Sequence, residues 1–209
     1  MSRIRKHKIG KQTNYKKKKM RKEVLWTIIF GAVLVISIVG MMFGGVNMNS
    51  EDTEHYNNYK FKRSNQGWIL NVGGEQLLFQ YLPGDIEMIN LSKESVDFFQ
   101  NNLMMYISFN PVSKEVDVLE LVRFELGTFL AKYKNVYVQN GVTQENDLYF
   151  EMPVITCENA TVSVSVVLFE EANATSIELE NNCLEIKGTR YGILAVKDRI
   201  LYSLIGVME

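Results

Sequence analysis

The sequence predicts an α+β protein: one N-terminal transmembrane helix, then a single mixed β-sheet domain with two or three packed helices. Three observations predict it. Residues 24–43, VLWTIIFGAVLVISIVGMMF, run for twenty residues without a charge, and a helix of that length spans about 30 Å, the thickness of a bilayer's hydrocarbon core. From residue 59 onward, short apolar and alternating runs bounded by Gly, Asn and Pro read as strands. Two stretches, 114–133 and 189–208, change to the spacing of amphipathic helices.

Charge divides sharply about the apolar run. Residues 1–23 carry eleven Lys or Arg against Glu23 alone, and the remaining 12 basic and 23 acidic side chains all follow residue 43. Basic residues beside a first span stay on the cytoplasmic face, held by the membrane potential and by anionic lipid. The expected location is therefore the cell membrane, single-pass, with residues 1–23 a cytoplasmic tail, 24–43 the span, 44–58 a flexible linker and 59–209 an extracytoplasmic domain. A cleaved signal peptide is disfavoured, because its apolar core is about 7–15 residues and ends at small residues. Here Met41-Met42-Phe43 closes the run. A buried soluble helix seldom runs so long without a polar face.

The tail suits the lipid surface, with roughly 1 kcal/mol of attraction per basic side chain. No aromatic or Arg-rich platform interleaves its lysines, so nucleic acid is disfavoured as a partner. After the linker, YKFKR and GWILNV precede Gly73-Gly74 and EQLLFQYL, and the two-residue Gly-Gly connection marks a hairpin. Trp68 on that hairpin is the aromatic to inspect for exposure. Pro83-Gly84 ends it. Residues 85–102 read as loop or as a short helix begun by Ser92 or Ser95.

LMMYISF (103–109) is a buried-strand candidate stopped by Asn110-Pro111. Behind Ser113 as N-cap, Val118, Leu119, Val122, Leu126, Phe129 and Leu130 form one apolar stripe of a helix. With VYVQN (136–140) this makes a βαβ candidate, and Asn140-Gly141 reads as the next turn. Alternation across 161–169 marks a long strand, and TSIELE and CLEIKG flank an Asn181-Asn182 turn. In 189–208 the cluster Lys197-Asp198-Arg199 argues against a second span, so the stretch reads as a terminal helix docked on the sheet. Phe98, Phe99, Tyr106 and Phe109 are expected in the core.

With these residues placed, the C-terminal third resembles a group of uncharacterised archaeal single-pass membrane proteins with a basic N-terminal tail and an extracytoplasmic domain, a layout that the tail and the single span fit as well. Pro153-Val154-Ile155-Thr156-Cys157, Asn159-Ala160-Thr161, Asn182-Cys183 and Asp198-Arg199-Ile200-Leu201-Tyr202 carry the resemblance. It implies anchoring and an outward domain, and implies no activity.

The chemistry is bounded mainly by absences. The two histidines are His7 in the tail and His55 in the stretch read as linker, so His-based triads and the usual zinc sites are disfavoured. No nucleotide-binding, G-x-S-x-G or H-E-x-x-H motif occurs, and no cofactor, metal or catalytic residue is assigned. Asp85 and Glu87 are the one carboxylate pair beside a turn, while Glu145-Asn146-Asp147 and Glu170-Glu171 read as solvated acids rather than a calcium loop. The expectation is an extracytoplasmic binding or envelope-assembly domain that meets an envelope or membrane-protein partner. Alternatives are an envelope glycan hydrolase using paired carboxylates, and a cytoplasmic-tail adaptor for ribosomes or anionic lipid. On an oxidising side, Cys157 and Cys183 are expected to form a disulfide. N-x-[ST] triplets make Asn90, Asn159 and Asn173 glycosylation candidates.

Overall fold

Two sheets form where alternation is strongest. In the computed structural model, which describes residues 52–209 together with the helical positions Trp26 and Val33, β1 (Thr53–Tyr56), β2 (Tyr59–Ser64), β3 (Gly67–Val72) and β4 (Glu75–Phe79) make an antiparallel meander. Gly73 and Gly74, at φ of 60° and 88°, supply the β3–β4 turn, a conformation that an L side chain resists. The opposed pairs Phe61–Leu70 and Trp68–Phe79 place one apolar face inward. Trp68 belongs to that face, only 7% exposed, with the Arg63 guanidinium 4.8 Å from its ring centroid.

The second sheet has the order β6-β5-β7-β9-β8, from β5 (Met104–Phe109), β6 (Tyr137–Val142), β7 (Ser165–Glu171), β8 (Ser176–Glu180) and β9 (Cys183–Gly188). All are parallel to their neighbours except β8, which closes the edge antiparallel to β9. The helices are α1 (Lys93–Asn101), α2 (Val116–Lys134) and α3 (Arg190–Leu204). The expected βαβ unit is present as β5–α2–β6, with β5 and β6 parallel. Helices α2 and α3 cover the face bearing Met105, Ile107, Phe109, Val167, Phe169 and Ile186. Each large side chain so buried contributes roughly 1.5–3 kcal/mol. The inner face of the meander meets α3 from the other side, where Phe79 stacks on Tyr202 at 4.2 Å and Phe61 meets the same ring edge-on. Helix α3 is consequently buried on every side from Ala195 to Leu204.

Among the described residues, no α-helix covers the far face of the five-stranded sheet. Residues 153–164 lie across it, packing Ile155, Cys157 and Ala160 on Val166, Leu168, Cys183 and Tyr106. Cys157 and Cys183 are joined as a disulfide, with Cα atoms 5.4 Å apart, inside the range such a bridge spans.

Several expectations are corrected. Asn140-Gly141 is no turn: both residues lie in β6, and Gly141 is there because a Cβ would stand 2.7 Å from Ile155 Cδ1. The strand expected over 161–169 begins at Ser165, because Thr161 Oγ1 accepts from the N–H groups of Ser163 and Val164 and holds a turn. The terminal helix stops at Leu204, and Gly206 at φ 76° turns the chain so that Val207 and Met208 are buried. The N-cap of α2 is Glu115 rather than Ser113, whose Oγ accepts from Glu115 N instead. The stretch read as linker, 44–58, contains β1 and with it His55, whose side chain is exposed. The expected span 24–43 lies outside the described residues apart from Trp26 and Val33; among the described residues no helix is long and apolar enough to cross a membrane.

Candidate ligand-binding pocket

Topology first points to the carboxyl ends of β5 and β7, where the chain leaves β5 for one neighbour and returns to the other, the place where open α/β sheets bind ligands. That crevice is filled by the protein itself. Glu171, ending β7, accepts from Ser113 Oγ at 2.6 Å and from Lys114 N at 3.0 Å, at the start of α2. The Ser113 hydrogen bond holds the Glu171 carboxyl below its ordinary value. Arg190, the first residue of α3, pairs with Glu115 at 2.7 Å and Asp117 at 2.5 Å. The helix terminus that would attract a phosphate already holds a carboxylate.

The largest cavity described, about 580 Å³, opens elsewhere. Three segments build it. Tyr81, Asp85, Ile86, Met88, Ile89 and Asn90 come from the loop between β4 and α1; Thr175, Ser176 and Ile177 from the start of β8; Tyr191, Gly192 and Ala195 from the first turns of α3. The floor is apolar, and Asp85 is the single formally charged side chain in the lining. Met88 and Tyr191 stand at its mouth, 88% and 71% exposed.

The loop is held by the charged cluster of α3. Asp198 Oδ2 accepts from Gln80 N at 2.7 Å and Tyr81 N at 2.9 Å, Tyr202 OH donates to Tyr81 O at 2.7 Å, and Arg199 Nε donates to Ile89 O at 3.2 Å. Lys197 Nζ lies 2.5 Å from Asp198 Oδ1 and 2.8 Å from Glu125 Oε2, ionic contacts outside hydrogen-bonding angles. Burial opposes the charge on Lys197, but the carboxylates of Asp198 and Glu125 outweigh it and hold the ammonium above its ordinary value. Burial pushes the Asp198 carboxyl up, against Lys197 and the two backbone N–H groups. The Tyr81 hydroxyl is raised by its own burial, then by the charges of Asp198 and Tyr191.

The opposite wall depends on glycine. At Gly192 a Cβ would stand 2.1 Å from Thr175 Oγ1, and at Gly188 it would stand 3.2 Å from the same atom. Without side chains there, β8 closes against the first turn of α3. The Asp85 carboxylate accepts from Leu82 N at 3.3 Å across a short 3-10 turn begun by Pro83, which fixes it at the rim.

Asp85 and Glu87, the two acids beside the Pro83-Gly84 turn, are divided between two cavities. Asp85 lines this pocket, whereas Glu87 lines a different cavity with Tyr56, Arg199 and Glu209. Of the acids read as solvated, Glu171 is bonded as above and Glu170 lies 3.8 Å from Lys187. Asn90, Asn159 and Asn173 are all exposed, and Asn90 sits on the pocket rim. Among the described residues no group of His, Cys, Asp or Glu could hold a metal ion.

A smaller cavity of about 320 Å³ beside the disulfide is lined by Glu158, Glu178, Glu180 and Glu185, with Glu185 Oε1 3.3 Å from Cys157 Sγ. Sequence reasoning missed this cluster, although the two-residue period of SIELE and CLEIK places Glu178, Glu180 and Glu185 on one face. It missed the large pocket as well, whose three segments carry no motif. No protein-family model, curated protein or solved structure matches the chain.

Proposed function

We propose that the chain is a single-pass membrane protein with a cytoplasmic N-terminus whose extracytoplasmic domain binds an envelope or membrane-protein partner by receiving one of its groups in the 580 Å³ pocket. The charge division about 24–43 supports the orientation, and a disulfide is the usual choice of an oxidising compartment. The pocket carries the binding reading: it is concave and floored by Ile86, Ile89, Ile177 and Ala195, with a few polar groups at its rim, the composition of a binding site. Its loop is anchored by Asp198, Arg199 and Tyr202, so the site is formed before a ligand arrives.

A photocrosslinking residue placed at Tyr191 of the full chain in its native cells tests this, with the almost fully exposed Val162 as control position. The expected result is a discrete adduct from position 191 and none from 162, removed by protease added outside intact cells. Absence of an adduct at 191, or the same adducts from both positions, overturns the binding reading. An adduct resistant to outside protease overturns the orientation.

A further inference from the structure

The pocket's electrostatics narrow what it receives. Its lining holds one carboxylate, Asp85, and no Lys, Arg or His to balance it. Tyr81 and Tyr191 contribute aromatic side chains, and Met88 adds a polarisable thioether at the mouth. Aromatic faces attract cations, and do so more strongly where water is partly excluded. A carboxylate at the rim of an apolar recess repels anions and gives a cation its counter-charge. Of the cations around it, Lys197 is committed to Asp198 and Glu125 and Arg190 to Glu115 and Asp117, while Arg199 donates Nε to Ile89 O and its other nitrogens to Ser203 Oγ and Glu209 O, and lines the separate cavity that holds Glu87.

Resting on the binding function proposed above, we infer that the group received is an apolar organic cation, a hydrocarbon body bearing one ammonium. The body occupies the floor formed by Ile86, Ile89, Ile177 and Ala195. The charge lies at the rim by Asp85 and against the ring of Tyr191. Glu171, by contrast, is bonded to Ser113 Oγ and Lys114 N just ahead of helix α2, so that end already holds an anion of the protein's own, whereas Asp85 lines the pocket with no basic side chain beside it in the lining.

The test uses the full chain in nanodiscs of zwitterionic lipid, with methionine methyl groups labelled for NMR and the Met88 resonance assigned by Met88→Leu. Three probes of similar size are titrated: benzyltrimethylammonium, benzyl alcohol and benzoate. The expected result is a saturable Met88 shift with the cation binding roughly tenfold tighter than the alcohol, and benzoate weakest. Asp85→Asn keeps the acceptor for Leu82 N and should bring the cation down roughly fivefold, with the alcohol unchanged. Tyr191→Leu should weaken the cation more than the alcohol. Equal binding of cation and alcohol, unaltered by Asp85→Asn, overturns the cation assignment and leaves the pocket standing. If no probe moves Met88, the pocket is no binding site and the proposed function falls with it.

Discussion

The two faces of the five-stranded sheet are closed by different means. On one, α2 and α3 bury Met105, Ile107, Phe109, Val167, Phe169 and Ile186, and the meander seals α3 from outside. On the other, Ile155, Val166, Leu168 and Cys183 form a small cluster under an irregular segment. The helix face has apolar area to spare and tolerates charged groups inside it, provided each is paired. The loop face has little area and a single β-bridge, Val142 with Val154, in place of a ladder, and depends on a covalent bridge and a glycine. Buried area and crosslinking are alternative answers to the same entropy cost.

The largest expected effect breaks the helix face through its charges. Asp198→Ala takes one of the two carboxylates from the buried Lys197, leaving it Glu125 alone, and releases the loop at Gln80 and Tyr81; a loss of about 3–5 kcal/mol in denaturant unfolding is expected. Lys197→Met in the same chain should recover part of it, because the half-compensated buried charge is then gone and Glu125, partly exposed, can turn to water; no recovery would mean that the two backbone hydrogen bonds carried the effect.

Next comes the bridge. Cys157→Ser with Cys183→Ser opens a 26-residue separation and should cost roughly 3–4 kcal/mol in the chain-entropy model. The melting temperature should fall while probe binding at Met88 persists, since the pocket lies on the helix side. A pocket lost together with the bridge would show that the two faces are one cooperative whole.

Gly141→Ala should cost about 1–3 kcal/mol, because its Cβ meets Ile155 Cδ1 at 2.7 Å. Shortening Ile155 to Val in the same chain should relieve part of the loss, and additive losses would show that the contact is not the cause.

The smallest effect is electrostatic. The Glu171 carboxyl is held below its ordinary value by Ser113, so its contribution is fully present above the unfolded-state value and disappears as pH falls through the folded one. The denaturation midpoint of the wild-type chain should therefore fall more steeply on acidification below about pH 5 than that of Glu171→Gln. Parallel curves would remove this carboxylate from the acid response.

Local pattern made much of this molecule legible. Period-two alternation located the Gly73-Gly74 hairpin and the β8–β9 hairpin, the 3.6-residue stripe located α2, and cysteine parity with charge asymmetry pointed to the Cys157–Cys183 bridge. Such features need only neighbours in sequence. The late start of β7 and the N-cap of α2 are set locally, by Thr161 Oγ1 and Ser113 Oγ, but other misreadings come from partners outside the local stretch. Asn140-Gly141 looks like a turn until Ile155 is laid against it. Trp68 looks available until Phe79 and the Arg63 side chain cover it.

By itself, then, the sequence determined the α+β class, the order of most elements and the pairing of its two cysteines, because backbone geometry and side-chain period act over a few residues. Tertiary structure alone decided the pocket and the fate of Lys197-Asp198-Arg199. In the sequence that cluster argues only against a second membrane span, and in the fold all three residues are buried. Their partners are Glu125, the backbone of Gln80 and Tyr81, and the carbonyl of Ile89. A charge enters a core only where such partners converge, and that convergence comes from sheet order and helix packing, which no local stretch encodes.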